Sequence, residues 1–327
     1  MLRWLFAAAL AAAVSTAASA EAIKIGGLHT TGNGPVYIAA AKGYFAAEGL
    51  DAQLVYFDSA QPIAVATASG DIDLAYTGLT GGFYGLASQG VLRIVAGGAR
   101  ETPGFHYQPF LASNRAWDAG LRALKDLPGH SFGVSQIGSP PHYALGLIAE
   151  KYGFDVKTVR IQPLATIPNL VAAIVGGQVD TVMMPGNTAV PVLRQGQAKN
   201  LGYIGDEAPY QLVAVMVSSK TADERHDMIE KALRALRKGA HDYYDAFTPN
   251  GKRGDGPNEA GILAIVAKGA NQNPEEAGAS LPYIDPDGRL DVKDVQRQLA
   301  WYKAQGLVKG TVGGDAIIDS RYVVPLP

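Results

Sequence analysis

The residues of this chain whose chemistry could serve a ligand are mostly neutral hydrogen-bonding groups. They are His29, Thr30, Asn33, Ser59, Gln61, Thr77, Thr80, Gln136, Ser139, His142 and Asn187. Most stand just before a stretch with the pattern of a helix. A helix start leaves backbone N–H groups unpaired and carries the positive end of the helix dipole, so it favours an anionic or acceptor-rich group. Plain helix capping accounts for any one of these residues taken alone. Their recurrence at one kind of junction is the stronger observation. Arg100 is the one cation in a comparable position, where a guanidinium could clamp a carboxylate or sulfonate in bidentate fashion. A solvated loop arginine is the competing reading. Tyr37, Tyr76, Tyr84 and Tyr107 could line an aromatic wall, although core packing is the better account of at least two of them.

Catalytic patterns are missing. The serines lack an elbow of the form G-x-S-x-G. There is no Cys, so thiol nucleophiles, disulfides and Cys-based metal sites are excluded. His29, His106 and His142 show no metal-ligand spacing such as H-x-x-x-H, and Gly26-Gly27 and Gly186-Asn187 form no dinucleotide or phosphate-loop fingerprint. Asp71 and Asp73 share a strand face, which a turn residue plus a cap explains. The reading is a non-catalytic protein that needs no cofactor and no metal.

The elements that position these residues repeat. The phrase Ile63-Ala-Val-Ala-Thr-Ala-Ser-Gly-Asp-Ile-Asp-Leu-Ala-Tyr-Thr-Gly78 returns as Leu170-Val-Ala-Ala-Ile-Val-Gly-Gly-Gln-Val-Asp-Thr-Val-Met-Met-Pro185. Gly70 answers Gly177, Ile72 answers Val179 and Asp73 answers Asp180, an offset of 177 − 70 = 107 positions. Upstream, Gly49-Leu50-Asp51 answers Gly153-Phe154-Asp155, and Pro35-Val36-Tyr37 answers Pro141-His142-Tyr143. Each copy reads strand, helix, strand, helix, strand. That alternation predicts parallel sheets with right-handed crossovers, and two copies predict two similar α/β lobes.

The spacing places strands at Ile23–Leu28, Ala52–Phe57, Ile72–Tyr76 and Val91–Ala96 in the first lobe. In the second it places them at Ser131–Ser135, Val159–Gln162 and Val179–Met184. Residues 105–113 should cross between lobes and Gln211–Ser218 should cross back. The expected division is therefore 21–108 plus 214–327 for lobe 1 and 109–213 for lobe 2. Helices are expected from Asn258, Asn273 and Asp291 onward, packed on the first lobe. In open parallel sheets ligands bind beyond the carboxyl ends of the strands, and the polar residues named above fall at those ends in both copies.

Residues 1–20 read as a cleavable signal peptide: Arg3, then an apolar Leu5–Val14, then the small-residue site Ala18-Ser19-Ala20. The apolar run is too short to span a bilayer. The mature product should be soluble, periplasmic and monomeric, without the lipid-carrying Cys of a lipoprotein. Without Arg3, 27 basic residues face 30 acidic ones, a net charge of −3. That balance gives no reason to expect nucleic acid or an anionic membrane as a partner.

Two stretches carry a family resemblance. Pro35-Val-Tyr-Ile-Ala-Ala-Ala-Lys-Gly-Tyr-Phe-Ala-Ala-Glu-Gly-Leu50 and Ala68-Ser-Gly-Asp-Ile-Asp-Leu-Ala75 resemble the periplasmic solute-binding proteins of ABC importers for taurine, alkanesulfonates, nitrate and thiamin pyrimidine precursors. Leu124-Lys-Asp-Leu-Pro-Gly-His-Ser-Phe-Gly-Val134 and Gly177-Gln-Val-Asp180 look like the second-lobe signatures of that group. The resemblance covers most of residues 23–220. It implies a two-lobed type II binding-protein fold with two crossover strands, closing on a small ligand and docking to a membrane permease. It places the ligand loops at residues 29–33, 59–61, 77–80, 136–142 and 185–188.

The expected ligand is a small organic anion, a sulfonate or carboxylate, with room for a ring beside the tyrosines and Phe83. A neutral pyrimidine-type vitamin precursor is the alternative. An enzyme on the same fold, akin to thiamin-pyrimidine synthesis, and a periplasmic sensor subunit are the competing classes.

Overall fold

The computed structural model describes residues 20–309 and 312–327, so the expected signal peptide, apart from Ala20, lies outside the described residues. The strands, in chain order, are β1 Glu21–Gly27, β2 Leu50–Tyr56, β3 Leu74–Gly78, β4 Leu92–Gly97, β5 Ala99–Glu101, β6 Pro109–Ser113, β7 Ser131–Val134, β8 Arg160–Pro163, β9 Thr181–Met183, β10 Ala198–Tyr203, β11 Tyr210–Gln211, β12 Val213–Ser218 and β13 Tyr283–Ile284. They form two five-stranded sheets, ordered β2-β1-β3-β12-β4 and β10-β6-β9-β7-β8.

Within the first sheet β1 pairs in parallel with β2 and β3, and β12 runs antiparallel to β3 and β4. The second sheet repeats the plan, with β7 parallel to β8 and β9, and β6 antiparallel to β9 and β10. Helices cover both sheets, so β3 and β7 are buried along their whole length and lack an in–out alternation. This is the two-lobed α/β architecture the repeat implied.

The repeated phrase does one job twice. Gly70 and Gly177 take left-handed backbone, with φ of +84° and +67°, to end the helices Ala60–Ser69 and Ile167–Val175. Asp73 then accepts the backbone N–H of Lys24 at 2.8 Å. Asp180 accepts the N–H of Ser131 at 2.9 Å. Each carboxylate ties the start of its own strand to the strand beside it, and each also pairs with an arginine, Arg225 or Arg115. Asp73 is therefore a structural residue, but a tie between strands that stands just before β3 and not the helix cap expected of it.

Two passages run between the lobes, and they share a small third sheet. β5 lies between β11 and β13, antiparallel to both. Proximity in sequence does not reveal this sheet, because β13 comes from far along the chain and spans two residues. β12 is the bulk of the expected return strand, and it sits inside the first sheet with Ala214, Val215 and Met216 fully shielded.

Of the later helices, His226–Phe247 packs on the helix Gly34–Ala41, where a Cβ on Gly239 would meet the carbonyl oxygen of Pro35 at 2.3 Å. Asn258, Asn273 and Asp291 precede Glu259–Gly269, Pro274–Gly278 and Val292–Ala304, at the expected starts. The last helix departs from expectation, because it packs on both lobes. Trp301 lies against Gly146 and Tyr143 of the second lobe, and Arg297 pairs with Glu150 at 2.8 Å. Tyr84 of the first lobe donates to Gln298 at 3.3 Å.

Candidate functional site

The carboxyl ends of β1, β2, β3, β7 and β9 converge between the lobes around two adjoining cavities. The outer one, about 500 Å³, lies between Leu28–Thr30 and Phe57–Asp58 of one lobe and Ile167, Pro168, Val171, Asn187 and Thr188 of the other. Ala270–Gln272, after the helix Glu259–Gly269, complete its rim. The inner one, about 70 Å³, is flanked by Thr30, Asn33, Ser59, Thr77, Gln108 and Ser135, with Leu28, Tyr107, Met183, Leu212 and the prolines 140 and 141 as its apolar wall. Thr30, Leu28 and Ile167 belong to both, so the two cavities form one cleft.

Six of the residues singled out by sequence line this cleft: His29, Thr30, Asn33, Ser59, Thr77 and Asn187. The His29 ring stacks on Tyr56 with centroids 3.8 Å apart, and its Nδ1 sits 2.9 Å from the carbonyl oxygen of Gly269. Asn33 donates to the carbonyl of Tyr76 at 3.0 Å and accepts the hydroxyl of Thr30 at 3.2 Å. Ser59 accepts from Gln136 across the lobes at 3.2 Å, which leaves its own O–H for the cavity. Thr77 is 1 % exposed and its hydroxyl has no partner.

The other six serve elsewhere. Thr80 caps the helix Gly81–Ser88 by accepting the N–H of Phe83 at 3.0 Å. Gln61 covers Gly82, and Gln136 bridges to Ser59. Ser139 precedes the helix Pro140–Tyr152 and gives its carbonyl oxygen to Tyr302 at 3.4 Å. His142 faces away from the cleft onto Trp301, and its Nδ1 accepts the N–H of Gly138 at 3.1 Å. Burial holds the His142 imidazole neutral down to a pKa of about 4.

Arg100 needs correction as a candidate clamp. It lies on β5, pairs with Asp291 at 3.0 Å, and is not among the cavity-lining residues. Its strand turns into the small third sheet, a feature invisible when β4 is read as running toward the cleft. Among the described residues no Lys or Arg lines either cavity, and the titratable groups there are His29, Asp58 and Tyr107. Burial pushes the Tyr107 phenol up to about 12, so it stays a neutral group.

The helix that begins at the inner cavity also departs from the anion-cradle expectation. Its first two residues are Pro140 and Pro141, which have no N–H to offer. The prolines instead allow close packing: a Cβ on Gly78 would come within 2.9 Å of Pro140 Cγ. Of the tyrosines proposed as an aromatic wall, Tyr107 lines the inner cavity, while residues that sequence reasoning missed include Gln108, Met183 and Gln272. Gln272 stands in the loop after a late helix, where no repeated phrase marked a site.

Glu101 is a buried acid beside this region, 1 % exposed, with Oε1 unpartnered. Burial raises its pKa well above the usual carboxylate range. Among the described residues no group of three or more His, Cys, Asp or Glu could hold a metal, and no helix is long and apolar enough to cross a membrane.

Residues 30–246 match the model of the family described as NMT1/THI5 like. Among solved structures, the chain is similar to the alkanesulfonate-binding protein SsuA from Xanthomonas axonopodis pv. citri bound to MOPS, at 18 % identity and a TM-score of 0.73, over 93 % of this chain and 99 % of that one. It is similar to the periplasmic aliphatic sulphonate binding protein SsuA from Escherichia coli, at 19 % identity and 0.70, over 94 % of each chain. The periplasmic nitrate-binding protein NrtA from Synechocystis PCC 6803 follows the same fold at 13 % identity and 0.67, over 90 % of this chain and 84 % of that one. A comparison with curated proteins returns no significant match.

Proposed function

Because the chain belongs to the NMT1/THI5-like family, we propose that it is the substrate-binding subunit of an ABC importer, a non-catalytic periplasmic protein. In this reading it captures one small ligand between lobe 1 (21–108 with 214–327) and lobe 2 (109–213) and hands it to a membrane permease. The observation that carries the proposal is the cleft itself, with both lobes contributing lining residues at their strand ends. The leader would be cut after Ala20, and intact mass of the exported product would then begin at Glu21.

The lining bears on the ligand. A carboxylate or sulfonate would meet the hydroxyls of Ser59 and Thr77 with no cation beside it. An uncharged acceptor, such as a carbonyl or ring nitrogen, meets the same hydroxyls without the cost of burying an unpaired charge. The cleft therefore favours a small ligand with a weakly charged or neutral acceptor end, and the neutral pyrimidine-type ligand moves ahead of the sulfonate. A calorimetric panel of sulfonates, aromatic carboxylates and pyrimidines tests this. Tight binding of a ring compound with a neutral acceptor is the expected result. Tight binding of a simple sulfonate alone would restore the anion reading. Turnover of any binder would replace the transport reading with an enzymatic one.

A further inference from the structure

The passages between the lobes carry a buried acid that lines neither cavity of the cleft. Glu101 ends β5, where it stands opposite Tyr210 in the two-residue ladder that joins the two passages. Its carboxyl is shielded from solvent, and Oε1 has no hydrogen-bond partner. The nearby cations are committed elsewhere: Arg100, on the other face of the strand, pairs with Asp291 at 3.0 Å, and His106 lies 3.1 Å from Asp206. The groups that act on Glu101 or feel its charge are the phenols of Tyr107 and Tyr210, the backbone N–H of Gln108, and Asp206 on the helical turn Ile204–Glu207. Glu207, on the same turn, is held by Lys151 and Tyr152. From β13, Tyr283 packs edge-on against Phe105, and its phenol is pushed up by burial. Burial is the largest influence against a charge on Glu101, the Gln108 N–H favours the charge, and Asp206 disfavours it.

The position of this acid couples it to movement of the lobes. Beyond Glu101 the chain leaves the sheet through Pro103 and Gly104, both exposed, with Gly104 and His106 in left-handed backbone at φ of +80° and +52°. The return passage packs on that turn. A Cβ on Gly205 would meet the Thr102 carbonyl oxygen at 2.7 Å, and Asp206 accepts the Gly104 N–H at 2.8 Å. Contacts between the two passages therefore seal a carboxyl that lies beside an exposed turn. Turning one lobe against the other shifts these passages, and water that reaches the carboxyl relieves the penalty on its charge. We propose that Glu101 is a proton-controlled hinge residue, held as a neutral acid while the lobes are together and ionised when they part, so that acid favours the closed protein and alkali the open one. The closed state binds this proton more tightly, so it carries more protons at every pH between the ordinary carboxylate value of 4.5 and the raised one. Raising pH through that window favours the open state. The inference rests on reading the two lobes as parts that move, and on no ligand.

The test uses the full mature chain without ligand. Spin labels at the exposed positions Lys268→Cys and Ala172→Cys report the separation of the lobes by pulsed EPR, in samples prepared from about pH 5 to about pH 9. The ratio of long to short distances should rise with pH, by up to about tenfold per pH unit inside the window. Glu101→Gln, which has the shape of the protonated acid and cannot ionise, should keep the short distance throughout. If it fails to fold, Glu101→Met takes its place with the same expectation. A flat profile in the labelled protein with Glu101 intact overturns the proposal. So does a dependence that survives Glu101→Gln or Glu101→Met, which would assign it to His29 in the cleft or to His106. A ligand panel without a binder would sink the transport reading and leave this result standing, and a flat profile would leave the transport reading standing.

Discussion

The lobes meet at a front and a back, and the two contacts are built differently. At the front the contacts are polar: Asn187 to the His29 carbonyl, Gln272 to the Asn187 carbonyl, Gln136 to Ser59, the Ile167 N–H at 3.5 Å from the Asp58 carbonyl, and Arg194 paired with Glu275. They surround open cavity. At the back the helix Val292–Ala304 packs into both lobes. Asp294 accepts from Tyr143 at 3.0 Å, from the Gln211 N–H at 2.8 Å and from Gln298 at 2.8 Å. Tyr302 is fully buried and donates toward the carbonyls of Leu79 and Ser139, one from each lobe, at 3.4 Å. Burial raises the Asp294 pKa even though three hydrogen bonds oppose it. The front can separate by exchanging hydrogen bonds with water. The back cannot separate without exposing aromatic rings and a buried acid. Opening on the front alone, about the short third sheet, is the motion this asymmetry allows.

Removing the back contact should have the largest effect. Tyr302→Ala should lower stability by about 3–5 kcal/mol, the usual range for emptying a buried aromatic site, read as a shift in the denaturant midpoint. A loss below 1 kcal/mol would mean that the back holds nothing.

Acid should weaken the same region. Burial lowers the folded pKa of His142 to about 4, below the ordinary imidazole value of 6.5. The folded state therefore binds this proton less readily than the unfolded chain does. The stability it contributes is complete above pH 6.5 and is lost as pH falls toward about 4. The difference between the two values corresponds to roughly 3 kcal/mol. Unfolding midpoints measured at neutral and acid pH should converge for His142→Gln and diverge for the wild type.

The front should behave in the opposite sense. Gln136→Ala removes one inter-lobe hydrogen bond and should cost at most about 1 kcal/mol of stability, while weakening whatever ligand binds in the cleft. The smallest effect belongs to Arg100→Ala. Its pair with Asp291 is partly exposed, so the loss should stay within about 1 kcal/mol, and calorimetric affinity should not change. A large loss of affinity would return Arg100 to the site.

The sequence made the frame legible where one physical signal dominated. The helix–glycine–strand phrase marked β3 and β9 because a left-handed glycine and a strand-tying aspartate are both needed at that junction. Asn273 and Asp291 marked helix starts because their side chains accept the N–H groups of Glu276 and Asp294, whereas Asn258 stands at a start in left-handed backbone without a capping bond. The site was legible by halves. Thr30, Ser59, Thr77 and Asn187 follow from strand ends, which the sheet order positions directly. Thr80 and His142 have the same local pattern, but Thr80 caps its own helix through Phe83 and His142 packs on Trp301; Ser139 keeps an unpartnered hydroxyl, and only its carbonyl is held, by Tyr302. Gln272 and Gln108 were not legible, since their place in the cleft depends on how distant loops fold over it. The double role of the helix Val292–Ala304 was hidden for a related reason. Its apolar stripe of Val295, Leu299 and Tyr302 shows one buried side, and Trp301 beside it reaches the second lobe.

A small ligand should close the front while the back stays fixed. The chain has no Cys, so paired spin labels can be placed at will. Lys268→Cys with Ala172→Cys puts exposed labels on opposite sides of the outer cavity. The pulsed-EPR distance between them, measured with and without the tightest-binding compound of the panel, should shorten and narrow on saturation. A pair across the back, Glu150→Cys with Ala304→Cys, should not move. An unchanged front distance at full occupancy, or a change confined to the back pair, would contradict the claim.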